Sequence, residues 1–276
     1  MITIWQVSMF FISSTDRVKL AVYDYNTCGS KTVFLVHGWP LSHKIYEYQI
    51  RCMTDQGYRV VAIDLRGFGN SDAPSTGYCY NQMADDIHCV ISALNLSNLT
   101  LVGFSMGGAI VLRYMNRYCG YGVTKLLLLS AAAPSWIQRP GFPYGLPRNT
   151  VEALIDQAST DRPQLAYDFS HNQLFASPQS EAAKNWFEDI ALSASGIGTV
   201  KSAYALRDED GRRDLMAVHV PTIIIHGKKD QVVTNDLVYI QQEQIKGSTL
   251  YQLENSGHGI MYDELSCFNQ IFLNSI

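Results

Sequence analysis

Nowhere does the chain hold the roughly 20 consecutive apolar residues that a bilayer-spanning helix needs, and its longest runs, such as "LLLL" and "VVAI", are strand-sized. A membrane span is therefore not expected. Blocks of Lys or Arg are missing too: 21 basic and 25 acidic residues are scattered and leave a formal charge of −4, which argues against nucleic acid as a partner. The six cysteines, at 28, 52, 79, 89, 119 and 267, include no C-x-x-C pair, and no H-x-x-x-H or Cys cluster offers metal ligands. A chain of this size needs no disulfide staples, so the thiols are expected to be reduced and packed as small apolar side chains. No glycine fingerprint for a dinucleotide follows the first strand-like runs, and neither a cofactor nor a metal is expected. "MITIWQVSMFFISS" lacks the basic leader and small-residue cleavage site of a signal peptide, so it is read as a first strand and the compartment as cytoplasmic.

What is present is ordinary globular composition, 47% hydrophobic and 17% charged. "TIWQVSMFF" and "VKLAVYDYN", separated by "ISSTDR", predict an antiparallel hairpin. "TVFLVHG", "YRVVAID", "LTLVG", "VTKLLLLS", "PTIIIHG" and "STLYQLE" follow, several of them apolar nearly throughout, as strands covered on both faces are. Helical patterns fit between them, which predicts an α/β fold with a mostly parallel eight-stranded sheet and ligands beyond the carboxyl ends of its strands. From 134 to 215 the alternation fails. That stretch reads as a helical cap inserted before the last two strands, with residues 1–133 and 216–276 forming the core. Its aromatics include Trp136, Phe142, Tyr144, Phe169, Phe175, Trp186 and Phe187, any of which can line an apolar pocket, and Trp136, Phe142, Tyr144 and Trp186 are put first as substrate-pocket candidates, the alternative being the cap's own core.

Between the strand "LTLVG" and the helix "MGGAIVLRYMNRY" lies Gly103-Phe104-Ser105-Met106-Gly107, a G-x-S-x-G match in strand-turn-helix context. A turn of that kind holds the Ser105 hydroxyl above the sheet edge and brings the Met106 N–H to a helix start, where negative charge is stabilised. Serine needs a base, and the base needs an orienting carboxylate. Asp230 follows the strand "PTIIIHG" and His258 follows "STLYQLE", two consecutive strand ends on the same edge as Ser105. His43, His88, His171 and His219 follow no such strand end; His37 sits just before a glycine, and His226 lies across a glycine from Asp230. The backbone N–H of Trp39, after "TVFLVHG", offers a second oxyanion donor, since Pro40 has none. "DLRGFGNSD" reads as a structural loop.

"HGWP", "DLRGFGNSD", "GFSMGG", "HGKKDQVV" and "SGHG" together make the chain resemble the α/β-hydrolase superfamily along essentially its full length. "HGWP" with "GFSMGGAIVLRY" is similar to the cofactor-free haloperoxidase and arylesterase branch, related to small carboxylesterases. The resemblance implies Ser105, Asp230 and His258 as triad, the Trp39 and Met106 amides as oxyanion hole, a small-molecule ester as substrate, and peracid formation as a side activity. Ala109, where the branch often has a third glycine, and Lys228-Lys229, where it has acidic residues, depart from it. Thioester, amide, lactone and carbon–carbon hydrolysis are alternative chemistries, and a non-catalytic ligand receptor is the alternative outside enzymology.

Overall fold

A computed structural model describes residues 7–276, so the first part of "TIWQVSMFF" lies outside the described residues. The hairpin forms between β1 (Val7–Ser13) and β2 (Lys19–Tyr25), in register from Val7 opposite Tyr25 to Ser13 opposite Lys19. Six strands follow, β3 (Thr32–Val36), β4 (Arg59–Ile63), β5 (Leu99–Phe104), β6 (Val123–Leu129), β7 (Thr222–Gly227) and β8 (Thr249–Leu253). They make one eight-stranded sheet in the order β1-β2-β4-β3-β5-β6-β7-β8, in which β2 alone runs against the others.

Alternate residues of the parallel strands feed two separate cores. Phe34 and Val36 of β3 face one, Val33 and Leu35 the other, and all four are fully buried. That double burial is why these strands read as continuous apolar runs. Helices α1 (Glu47–Asp55), α2 (Tyr80–Ala93) and α3 (Met106–Arg117) connect the strands up to β6. Between β6 and β7 come α4 (Arg148–Thr160), α5 (Arg162–Asp168), α6 (Glu181–Leu192), α7 (Gly196–Asp208) and α8 (Arg212–Met216), with a π-helical turn at Phe169–Gln173. After β7 come α9 (Asn235–Gln244), α10 (Ile260–Asp263) and α11 (Leu265–Ser275). Side chains of α2, α3 and α9 fill the first core, those of α1 and α11 the second. No helix among the described residues is long and apolar enough to cross a membrane.

Asp214 of α8 accepts hydrogen bonds from Arg113 (2.8 Å) and Asn116 (2.7 Å) of α3. A division of the chain at 215/216 therefore cuts a helix docked on the sheet's own helical layer. The cysteines correct an expectation: all six are free, but Cys28, Cys79, Cys119 and Cys267 are exposed and Cys52 and Cys89 half-buried. None is a packed core residue; four sit uncovered in turns or on outward helix faces, and of the two half-buried ones Cys52 has Asn269 against its sulfur (3.5 Å).

Strand order reverses at β3, whose neighbours are β4 and β5. The crevice past the carboxyl ends of β3 and β5 is thus the natural ligand position in such a sheet. The loop His37–Trp39 and Ser105 emerge there.

Candidate active site

Ser105 links β5 to α3 with φ 53° and ψ −118°, a region that non-glycine residues avoid at a cost of about 1–3 kcal/mol. The surroundings hold it there. Its N–H donates to the Leu129 carbonyl (2.9 Å) at the end of β6, and its carbonyl accepts from Ala132 (3.0 Å). A Cβ on Gly107 would come within 2.4 Å of the His37 carbonyl oxygen, so only glycine lets α3 start this close to β3.

From the strained turn the Ser105 Oγ lies 2.9 Å from His258 Nε2. His258 Nδ1 in turn lies 2.8 Å from Asp230 Oδ2. With a carboxylate at that distance, Nδ1 carries the proton and Nε2 is left as an acceptor for the serine hydroxyl. The other Asp230 oxygen accepts from the Val232 and Val233 N–H groups at 2.8 and 2.9 Å. Burial alone would raise the Asp230 pKa; the His258 charge and hydrogen bond, with the Val233 N–H, prevail and hold it below the ordinary carboxylate range. Asp230 is therefore an anion at neutral pH.

The loops carrying these groups are fastened to one another. Lys228 N–H donates to the Leu253 carbonyl (2.9 Å) and Lys229 N–H to that of Ser256 (3.0 Å), joining the Asp230 loop to the His258 loop. Asp263 accepts from Gly257 (2.7 Å) and from Ala176 (3.0 Å) and Ser177 (3.0 Å), joining the His258 loop to the helical segment. Nothing in the sequence pattern singled out Asp263.

Trp39 and Met106 flank Ser105, and neither main-chain N–H donates a hydrogen bond to a described residue. Met106 is the first residue of its helix, where no intrahelical acceptor exists. His37 explains the loop before Trp39: its Nε2 accepts from the Leu65 N–H (2.9 Å), so Nδ1 bears the proton and donates to the Gly38 carbonyl (2.8 Å). Burial pushes its pKa down to about 4, in keeping with a neutral structural ring.

A cavity of about 400 Å³ opens above Ser105. Trp39, Trp136, Leu154, Leu165, Phe169 and Val232 contribute to its walls. Both indole N–H groups are engaged elsewhere, Trp39 on the Thr199 carbonyl (2.9 Å) and Trp136 on that of Val232 (2.7 Å), so the rings offer the cavity only apolar surface. Of the four expected pocket aromatics only Trp136 lines this space. Phe142 is buried against Tyr144 (centroids 5.2 Å) beneath the Arg212 guanidinium (5.8 Å). Tyr144 is 41% exposed, and Trp186 packs edge-on against Phe187 at 5.0 Å. Each belongs to a local aromatic cluster, and a residue count cannot reveal which face of a helix or turn meets the cavity. Phe169, which does line it, sits on the π-helical turn and approaches His258 edge-on at 6.5 Å.

A strained serine in hydrogen-bond reach of a buried His–Asp pair, at a switch point of a parallel sheet, defines a class of protein, and comparison agrees. A family profile described as "alpha/beta hydrolase fold" matches residues 31–265, and the chain belongs to that family, in its haloperoxidase and esterase branch. It is 44% identical to the AB hydrolase superfamily protein YisY of Bacillus subtilis, over 95% of this chain and 96% of that protein. An esterase (EaEST) from Exiguobacterium antarcticum superposes with a TM-score of 0.94 at 42% identity, covering 97% of this chain and 98% of that one. A bromoperoxidase from Bacillus anthracis does so at 0.91 and 32%, covering 97% and 99%.

Proposed function

We propose that this chain is a serine carboxylesterase of small to medium, largely apolar esters, working through an acyl-serine intermediate. Ser105 Oγ attacks the ester carbonyl while His258 Nε2 takes its proton. Asp230 keeps the imidazole in the right tautomer and stabilises its charged form, and the Trp39 and Met106 amides receive the oxyanion. The alcohol departs with the proton from His258, and water, deprotonated by the same imidazole, cleaves the acyl-serine. The segment 134–215 acts as a cap that supplies most of the acyl pocket.

The observation that carries this reading is the buried Ser105–His258–Asp230 relay opening directly on an apolar cavity. Similarity to an esterase supports the reaction class. Similarity to a bromoperoxidase supports a side reaction in which hydrogen peroxide replaces water on the acyl-serine and leaves as a peracid. A cytoplasmic location is part of the proposal, supported by six cysteines that are all free.

Hydrolysis of p-nitrophenyl esters from acetate to decanoate, by wild type and Ser105→Ala, tests it. Cleavage by the wild type and its loss in the folded variant are expected, with the chain-length optimum reporting pocket depth. A folded wild type that cleaves none of the series, or a folded variant that keeps its turnover, sinks the assignment. An organophosphonate that labels Ser105 stoichiometrically excludes the receptor reading.

A further inference from the structure

One side chain beside the relay has no partner. His226, in β7 and four residues before Asp230, is fully buried, and neither ring nitrogen finds a hydrogen-bond partner among the described residues. Its Nδ1 lies 3.8 Å from Asp230 Oδ2, the same oxygen that accepts from His258 Nδ1. The position is rigid. His226 pairs with Gln252 of β8, the Ile225 carbonyl accepts from Ser130 (2.9 Å), and a Cβ on Gly227 would come within 2.3 Å of the Ser256 carbonyl oxygen.

Packing alone does not account for a histidine here. A buried polar group without a hydrogen bond is destabilising, and an apolar side chain of similar volume avoids that cost. What the imidazole adds is a dipole. A lone pair on Nδ1, the ring nitrogen 3.8 Å from the carboxylate, would be repelled by it, so the proton belongs on Nδ1.

Taking the Ser105–His258–Asp230 reading as its basis, we propose that His226 is a positioning residue for Asp230. Its neutral ring, with Nδ1 3.8 Å from the oxygen that also accepts from His258, takes up part of the carboxylate's field. The titratable groups that face it are Asp230 and His258. Burial drives its pKa down to about 4, against the pull of Asp230 and with the help of His258, so it stays neutral wherever the enzyme would work. A neutral partner tempers Asp230 without competing for the proton that His258 must carry. Without it the carboxylate's field on His258 is untempered.

The test compares wild type, His226→Leu, His226→Met and His226→Asn on p-nitrophenyl butyrate, with Ser105→Ala assayed alongside. For the two apolar variants the acid limb of kcat/KM should move up by about half a pH unit, the scale of a dipole beside a charge. Their kcat should fall with KM unchanged, and their melting temperature should equal or exceed that of wild type. His226→Asn, whose amide N–H can occupy the Nδ1 position, should return the limb toward wild type. Apolar variants with an unmoved pH profile and a lowered melting temperature would make His226 a packing residue and overturn the inference. Activity surviving in Ser105→Ala would instead remove the reading on which the inference rests, so the two failures are distinct.

Discussion

Two buried histidine–aspartate pairs sit at the carboxyl edge of this sheet with the same 2.8 Å separation between Nδ1 and carboxylate, and they are built for different ends. In His258–Asp230 the carboxylate is held by two main-chain N–H groups and the far ring nitrogen reaches Ser105. In His43–Asp64 the carboxylate also accepts from the His43 main chain (2.9 Å), the Tyr23 hydroxyl (3.1 Å) and the Asn70 N–H (2.9 Å). The His43 ring lies flat on Tyr23, centroids 3.5 Å apart, and its other nitrogen meets no hydroxyl among the described residues. The second pair ties β2, the turn after β3 and the "DLRGFGNSD" loop together. On the proposed reading, a polarised imidazole serves as general base only where a strained turn presents it with a nucleophile.

The sharpest break of this contrast is Ser105→Ala, which leaves His258–Asp230 as unoccupied as its counterpart. Turnover of p-nitrophenyl butyrate should fall on the order of 10⁶-fold with the circular dichroism spectrum unchanged. Asp230→Asn should cost about 10⁴-fold in kcat, because an amide can present its N–H to Nδ1 and favour the wrong tautomer. Displacing the hydroxyl without removing it is a milder route to the same end. A Cβ on Gly38 would come within 2.8 Å of the Ser105 Cβ and 3.0 Å of the Phe104 carbonyl oxygen. Gly38→Ala should therefore shift the nucleophile and lower kcat about 10²-fold, the usual cost of a misplacement near 1 Å.

Asp64→Asn probes the other side. Active-site titration with an organophosphonate should give wild-type kcat per folded molecule, while the urea midpoint reports a loss of about 1–3 kcal/mol from hydrogen bonds left unpaired. A large fall in kcat with unchanged stability would erase the distinction between the pairs.

The parts of this contrast that the sequence made legible are those governed by sheet topology. Parallel strands put their carboxyl ends on one edge, so the residues following "LTLVG", "PTIIIHG" and "STLYQLE" had to converge, and the structure brings Ser105, Asp230 and His258 within hydrogen-bond range. His226 was set aside as a base because a glycine separates it from the Asp230 loop in sequence, whereas in space its Nδ1 lies 3.8 Å from that carboxylate. The helical segment was the least legible. Its aromatics are spaced for burial, but burial against Phe187, as for Trp186, and burial against the cavity, as for Trp136, leave the same sequence pattern. Asp263 was equally silent, since a carboxylate that caps three main-chain N–H groups looks in sequence like any surface acid.

The smallest effect is invisible at neutral pH. Burial by itself would raise both carboxyl pKa values, but His258 in one case and His43 in the other outweigh it, and both groups sit below the ordinary range. A carboxylate whose pKa is depressed on folding adds stability above its unfolded value, about 3.9, and loses it as pH falls toward the folded one. Urea midpoints of wild type should therefore decline as the pH drops below about 4. Asp64→Asn and Asp230→Asn should each flatten that decline, being already without the ionisable group. Only Asp230→Asn should combine the flattened acid response with a collapse of turnover at pH 7, because in the other pair the same electrostatics holds a loop and the far ring nitrogen reaches no hydroxyl among the described residues.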